Sequence, residues 1–501
     1  MSKIPEETSS PNPDRDARFA RLRQLENASR ALDPGANRRK KLRNAVVAAS
    51  ERFIRRLRSI KGYEETADKG LGLLDEPISE HGIDIDRAIE LLERDVLRPG
   101  ANPAAAGYVA YIPGSNLYHA ALGDFLAAIS DKYAGVFFAG PGPVRMENML
   151  VQWAAELVGY PAGAGGNIAS GGSLANLAAI TTARDAHGLK SADFARAVVY
   201  LTEQAHHSVD KALRIAGLGE AKLHYIPMDE RFRMRTDSLA EAIAADRAQG
   251  RRPWLIIAAA GTTDTGAVDP LREIATIAER ERCWFHVDAA YGGFFLLTDQ
   301  GREMLEGIER SDSVILDPHK GLFLPWGSGM VLVRDVNLLA AAHSYSGHYM
   351  QDATREPGEI SPADVSAELS KPFRALRMWL PLILLGVKPF RAALEEKLLL
   401  ASYFYDEVQK LGFEVGPSPD LSIVIFRWAP AGATLEQTNE LNRAIADGAR
   451  KDGRIFFSST TIDGRFTIRM AALGFRTHRR TIDLALRVLR EQVGHLRTTT
   501  T

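Results

Sequence analysis

Apolar positions change their spacing as the chain proceeds. Residues 1–37 carry Pro, Ser and charges with little apolar periodicity, which predicts a disordered tail. "RRKKLRNAVVAASERFIRRLRSIKGY" then has helical spacing, charged on one side, and opens an N-terminal helical arm over residues 38–106. Within residues 107–388 short apolar runs recur: "ARAVVYLTEQ", "PWLIIAAAGTTDTG", "CWFHVDAAYGG" and "SVILDPHKG". Helical patterns such as "DSLAEAIAADRAQG" and "LREIATIAERER" lie between them. This alternation predicts an α/β fold, a mostly parallel central sheet with helices on both faces. Residues 389–496 start helix-rich with "FRAALEEKLLLASYFYDEVQKLG", then give "LSIVIFRW" and "RFTIRMAAL", which predicts a smaller C-terminal α+β domain. Residues 497–501, "RTTTT", are expected to fray.

Composition narrows the class. The 501 residues suit two or three domains, and 45% hydrophobic with 25% charged residues is ordinary for a soluble globular protein. A formal net charge of -1 gives no reason to expect a nucleic-acid or acidic-membrane partner, so the basic run after residue 37 reads as a solvated or dimer-facing helix. The single cysteine, Cys283, cannot form an internal disulfide, which fits a reducing compartment. The N-terminus lacks the apolar core of a signal peptide, and "MWLPLILLGV" is too short to span a membrane. The expectation is a soluble, cytoplasmic protein.

The runs share one further property: each ends in polar residues. In open α/β sheets, ligands sit beyond the carboxyl ends of the strands, so His206, Thr263, Asp288 and Lys320 are expected to converge on one crevice. Lys320 ends a buried-looking strand, a poor position for packing and a good one for a reactive amine. Pyridoxal phosphate requires an amine to form an imine, a carboxylate to keep its ring nitrogen protonated, and amides and hydroxyls for its phosphate. Lys320 and Asp288 supply the first two. In "IASGGSLANLAAI", Gly171 and Gly172 permit close backbone approach, Ser173 adds a hydroxyl, and the helix that follows directs its N-terminus at the anion. The spacing does not make a G-x-G-x-x-G dinucleotide fingerprint. A metal-dependent hydrolase built from His206, His207, His286, Asp288 and His319 is the distant alternative; it lacks a recognised ligand motif and leaves Lys320 without a role, so no metal is expected.

Taken in order, "SGGSLANLAA", "EQAHHSVDKA", "AAGTTDTGAVDP", "HVDAAYGG" and "DPHKGLF" resemble the group II pyridoxal-phosphate amino acid decarboxylases, which include the aromatic L-amino acid, histidine, tyrosine and glutamate enzymes. The resemblance covers roughly residues 70 to 490. It implies the fold type I architecture of pyridoxal-phosphate transferases. It also implies a homodimer with a shared active site, the chain up to about Asn102 wrapping the partner and "DKYAGVFFAGPGPV" reaching towards the neighbouring site. By the same resemblance Lys320 is the Schiff-base lysine, His319 contacts the imine region, and Asp288 pairs with the ring nitrogen. Ala290 packs on one ring face; His206 stacks on the other and orients the substrate carboxylate. Gly172 and Ser173 hold the phosphate, with Ser208 and Asp317 nearby, and Thr263 lies by the ring 3-hydroxyl. Arg469 resembles a carboxylate anchor, and Tyr111 and Ile112 line the side-chain pocket.

The implied reaction is decarboxylation of an L-amino acid, aromatic or bulky, to the amine and carbon dioxide. The chain departs from the family in places. Gly321 follows the lysine where many relatives carry a bulkier residue, and the His-Pro that often precedes the pocket is missing. Where relatives place a proton-donating tyrosine this chain has Pro362; Tyr345 and Tyr349 are the nearest candidates upstream. Another reaction on the same cofactor, such as oxidative deamination to an aldehyde, an aldol step or transamination, therefore stays open.

Overall fold

The computed structural model describes residues 13–112, 115–344 and 358–499. The chain divides into two units, Met1–Arg58 with Thr66–Pro99, and Ser59–Glu65 with Gly100–Thr501.

In the first unit, helices span Pro13–Ser29, Ala36–Arg56 and Ile85–Leu91, the last running on into a π-helical turn at Leu92–Leu97. The helix at Pro13–Ser29 corrects the expectation of disorder over residues 1–37, of which residues 1–12 lie outside the described chain. Asp14 and Asp16 occupy its first turn, where negative charge complements the helix dipole, and the Ala, Arg, Leu and Gln residues behind them are good helix formers. Its periodicity is weak because it buries nothing: neither long helix has a buried residue. Asp84 caps Ile85–Leu91 by accepting from the Asp86 amide and also pairs with Lys41 at 3.2 Å.

In the second unit, Tyr63–Glu64 pairs with Gly100–Ala101, and the Gly62 amide donates to the Gly453 carbonyl at 2.9 Å. These bonds join Ser59–Glu65 to the larger unit, so the arm expected over residues 38–106 is interrupted and the unit boundary falls at Pro99–Gly100. The large sheet contains β1 (Gly165–Ala169), β2 (Ala197–Leu201), β3 (Lys222–Tyr225), β4 (Arg252–Ala259), β5 (Trp284–Asp288), β6 (Ser313–Leu316) and β7 (Gly329–Val333). Their order is β1-β7-β6-β5-β4-β2-β3. Neighbours run parallel except β7, which is antiparallel to both β1 and β6.

Both faces of this sheet are covered, and that explains the near-continuous apolar runs. Ile256, Ala258, Phe285, Val287, Val314 and Leu316 enter one core, while Leu255, Ile257, Trp284 and Ile315 enter the other. The two-residue period therefore puts His286, Asp288 and Ser313 on the face shared by Trp284 and Ile315. Helix Gly172–Ala186 contributes Ala175, Ala179 and Ile180 to the core on that face.

The C-terminal part carries β8 (Glu414–Val415), β9 (Ile423–Arg427), β10 (Ser458–Ile462) and β11 (Arg465–Ala471) in an antiparallel sheet ordered β8-β9-β11-β10. Helices Lys388–Lys410, Leu435–Asp452 and Arg479–Thr499 accompany it, and Phe404, Phe426, Ile468 and Leu489 lie in its core. The last helix continues to Thr499, past the point at which the chain was expected to fray.

β1 leads directly into the Ser170–Gly171 turn, and its placement depends on a buried ion pair. Glu147, on helix Pro141–Val158, accepts from the Ile168 amide at 2.9 Å and pairs with Lys371; both side chains are almost fully buried. Breaking such a pair leaves a charge that neither water nor a partner solvates. Lys371→Ala should therefore lower the unfolding free energy by about 3–5 kcal/mol in urea denaturation. The double variant with Glu147→Leu should recover part of the loss.

Candidate active site

The carboxyl ends of β2, β4, β5 and β6 and the N-terminus of helix Gly172–Ala186 surround a cavity of about 330 Å³. Gly172, Ser173, His206, Ser208, Thr263, Asp288, Ala290, Asp317, His319 and Lys320 all line it. These residues span almost 150 positions of sequence, and parallel strand topology alone brings them together.

Lys320 stands on the short helical turn Pro318–Gly321, started by a proline whose missing N–H costs nothing at that position. Its Nζ lies 3.1 Å from Asp317 Oδ2. A Cβ built on Gly321 would come within 2.6 Å of Phe294 Cβ, so this chain has no room there for the bulkier residue of its relatives. His319 donates from Nδ1 to the Ser328 carbonyl at 2.5 Å. Burial pushes the His319 pKa down, against the opposing pull of Asp317. The ring is neutral, with its proton on Nδ1 and a lone pair on Nε2.

His206 is lowered likewise, first by burial, with Asp288 opposing. Its Nδ1 lies 2.7 Å from Ser208 Oγ and 3.2 Å from the Ser208 amide. Asp288 accepts from Asn176 Nδ2 at 3.1 Å and from the Ala290 amide at 3.2 Å. Asn176 was missed in the sequence; it is fully buried and reaches His286 and Ser208 as well as Asp288. The available signal was a lone amide in the apolar helical run "SLANLAAI".

Three expected substrate contacts do not line the cavity. Arg469 directs Nε to the Asp264 carbonyl at 2.7 Å, Nη1 to Ser458 Oγ at 2.7 Å, and Nη2 to the Thr263 carbonyl. It is buried with its donors engaged, and it braces the loop that carries Thr263. Tyr111 is exposed and packs near Tyr108 and Phe456, while Ile112 is buried in the core beneath the sheet. Pro362 is buried in the turn Pro362–Val365, whereas Tyr345 and Tyr349 lie outside the described residues. Among the described residues, no three His, Cys, Asp or Glu side chains converge as a metal ion would require.

The cavity fits pyridoxal phosphate. Leu174 donates to the Gly171 carbonyl, and the Gly172 and Ser173 amides at the helix start have no intrahelical acceptor. The buried Asp317 Oδ1 has no hydrogen-bond partner. A Cβ on Gly172 would stand 3.1 Å from Asp317 Oδ2 and 3.5 Å from Ala290 Cβ, so the bare glycine keeps the cradle open. One lysine amine and one strand-end carboxylate complete the set.

Comparison with known proteins gives an independent result. The "Pyridoxal-dependent decarboxylase conserved domain" matches residues 73–429. The chain is 35% identical over 422 residues to an aromatic-L-amino-acid decarboxylase of Bacillus atrophaeus, covering 83% of this chain and 88% of that one. It is 26% identical to a phenylacetaldehyde synthase of Arabidopsis thaliana, over 85% of this chain and 89% of that one. The crystal structure of Oryza sativa TDC with PLP and tryptamine superposes with a TM-score of 0.87 at 25% identity, covering 93% of this chain and 99% of that one.

Filling the cradle tests the fit without measuring turnover. Gly172→Ala should preserve the fold and weaken pyridoxal phosphate binding by about tenfold, the scale of a modest steric clash. Titration of the cofactor-free protein, followed by visible absorbance, measures it.

Proposed function

The chain belongs to the pyridoxal-dependent decarboxylase family, and on that premise we propose that it converts an aromatic or other bulky L-amino acid to its amine and carbon dioxide. It is a carboxy-lyase that uses pyridoxal phosphate. One observation carries the residue assignments: Lys320 and Asp288 face the same cavity, at the N-terminus of a helix whose first amides are free for a phosphate. The resemblance to an aromatic-L-amino-acid decarboxylase supports the substrate class.

The chemistry supplied by the bound cofactor is capture of the amino group and uptake of the electron pair released as carbon dioxide leaves. Lys320 Nζ would hold the cofactor through its aldehyde. Asp317 Oδ2 lies 3.1 Å from that nitrogen and fixes its position. Asp288 keeps a proton on the ring nitrogen, and Asn176 and the Ala290 amide fix the carboxylate in place. Ala290 offers a small face beside the ring, and His206 orients the substrate carboxylate. Gly172 and Ser173 hold the phosphate, with Ser208 and Thr263 at the rim of the same cavity. His319, neutral and with Nε2 unprotonated, is the base nearest Lys320 along the chain.

A second reading, oxidative formation of an aldehyde, is supported by the similarity to a phenylacetaldehyde synthase.

The assembly we propose is a homodimer with a shared active site. On helix Tyr118–Ser130, Tyr118, Leu122, Phe125, Leu126 and Ile129 fall on one face and are all exposed. Helix Ala375–Leu385, packed alongside, exposes Ile383 and Leu384. A contiguous apolar face of this kind is what a second copy covers. Among the described residues no helix is long and apolar enough to cross a membrane; with one cysteine in the sequence and so no internal disulfide, the location we propose is the reducing cytoplasm.

Lys320→Ala should abolish the cofactor's visible band and all turnover while leaving the fold intact. Asp288→Asn should cut kcat by about a hundredfold or more, with cofactor binding affected less. Release of labelled carbon dioxide across the proteinogenic amino acids identifies the substrate. Amine without peroxide establishes decarboxylation, and aldehyde with peroxide establishes the second reading. Phe125→Asp should shift the protein from dimer to monomer in light scattering and reduce activity with it; a dimer that survives this change and a matching one at Leu122 assembles elsewhere.

A further inference from the structure

Beneath the cavity, buried polar groups form one continuous chain. Trp284 Nε1 lies 2.8 Å from Ser313 Oγ, which lies 2.8 Å from His286 Nδ1. His286 Nε2 lies 2.8 Å from Asn176 Oδ1. Asn176 Nδ2 then reaches both Asp288 Oδ2 at 3.1 Å and Ser208 Oγ at 3.0 Å, and Ser208 Oγ lies 2.7 Å from His206 Nδ1.

The chemistry of its members allows this chain one direction only. An indole N–H can only donate, so Ser313 Oγ accepts from Trp284 and keeps its own proton to give. His286 Nδ1, 2.8 Å away, can take that proton if the ring carries its own on Nε2. The other end decides that point. A carboxylate can only accept, so the Asn176 amide must turn its NH2 group to Asp288 and its oxygen to His286. The second N–H of that group goes to Ser208 Oγ, whose proton is left for His206 Nδ1. The Ser208 backbone amide, which also can only donate, points at the same ring nitrogen from 3.2 Å. His206 therefore keeps its proton on Nε2.

We infer that Asn176 is a positioning residue for the reaction: through one carboxamide it holds Asp288 and fixes His206 as a hydrogen-bond donor from Nε2. Burial closes every escape from this arrangement. Asn176 and Ser313 are fully buried and His286 nearly so, leaving no water to satisfy a reversed link. Burial also pushes the His286 pKa down to about 4, so the ring stays neutral and keeps one donor and one acceptor. The pKa only accompanies the geometry; the acceptor-only carboxylate sets the direction.

The inference rests on the reading that Asp288 and His206 serve the cofactor, and the experiment separates the two. Nitrogen-15 NMR of the histidine-labelled, cofactor-loaded protein should place the His206 and His286 protons on Nε2, with His206 and His286 assigned by single replacements. Asn176→Asp keeps the size of the side chain and removes the donating NH2 group. It should move the His206 ring signals and lower kcat by about tenfold or more, with KM changed less than about threefold. Ser313→Ala should disturb the His286 signals alone, because Asp288 still orients Asn176. A His206 proton on Nδ1 in the unaltered protein overturns the inference, as do unchanged His206 signals and kcat in a folded Asn176→Asp protein. A colourless protein that binds no pyridoxal phosphate would instead overturn the functional reading.

Discussion

The structure around the cavity is organised by the need to hold a carboxylate at the end of an interior strand. Asp288 terminates β5, in the middle of the seven-stranded sheet, where both faces are covered. A charge in such a place requires donors from the protein and a positive partner from the ligand. The donors come from a neighbouring amide at Ala290 and from Asn176 on the covering helix. Helix Gly172–Ala186 must therefore bring a polar residue into an otherwise apolar contact, at the one level where β5 presents Asp288. Because the same helix starts at the Gly171–Gly172 turn, fixing its height over Asp288 also fixes the distance between carboxylate and phosphate cradle. On the proposed assignment, that one element would locate both ends of a rigid cofactor.

Parallel topology supplies the remaining groups. Crossovers return the chain to the same edge, so the ends of β2, β4, β5 and β6 contribute to the same crevice. The C-terminal sheet then steadies one rim. Arg469, from β11, holds the carbonyls of Thr263 and Asp264, while Asp420 pairs with Arg231 and Arg233 and accepts from the Val268 amide. The loop after β4 is consequently held at Thr263, Asp264 and Val268 by the C-terminal part of the chain. A long charged side chain acts here as a brace, tied to two main-chain oxygens of the loop and to Ser458 Oγ of the small sheet, and it does not face the cavity.

This division of labour explains what was readable in the sequence. Strands buried on both faces give continuous apolar runs, and runs that end in Asp, His, Thr or Lys mark the site edge, so the sheet and the residues facing the cavity were legible. Residues whose role depends on a partner far away in sequence were not. Arg469 in "TIRMA" looks the same whether it faces a ligand or a carbonyl some 205 positions distant. Asn176 looks like a tolerated helix polar until β5 is laid beneath it. Gly321 reads as a departure from relatives and becomes intelligible only once Phe294 is found pressed against it. The helix Pro13–Ser29 failed for the opposite reason: it buries nothing, so it leaves no apolar period to read.

Two histidines in the same cavity show how far the second layer determines chemistry. His206 and His319 are both partly or wholly buried, and burial lowers the pKa of both, so both enter the site neutral. Sequence gives no means of telling their roles apart. The difference lies in what each Nδ1 meets. For His319 it is the Ser328 carbonyl, which can only accept, so the proton resides on Nδ1 and Nε2 is left basic. For His206 it is Ser208, whose amide can only donate and whose hydroxyl, accepting from Asn176, turns its proton to the ring, so Nδ1 is left bare and Nε2 bears the proton. One ring is thereby committed to taking a proton and the other to offering a hydrogen bond. The fold obtains both properties from a single side-chain type by changing what its Nδ1 meets.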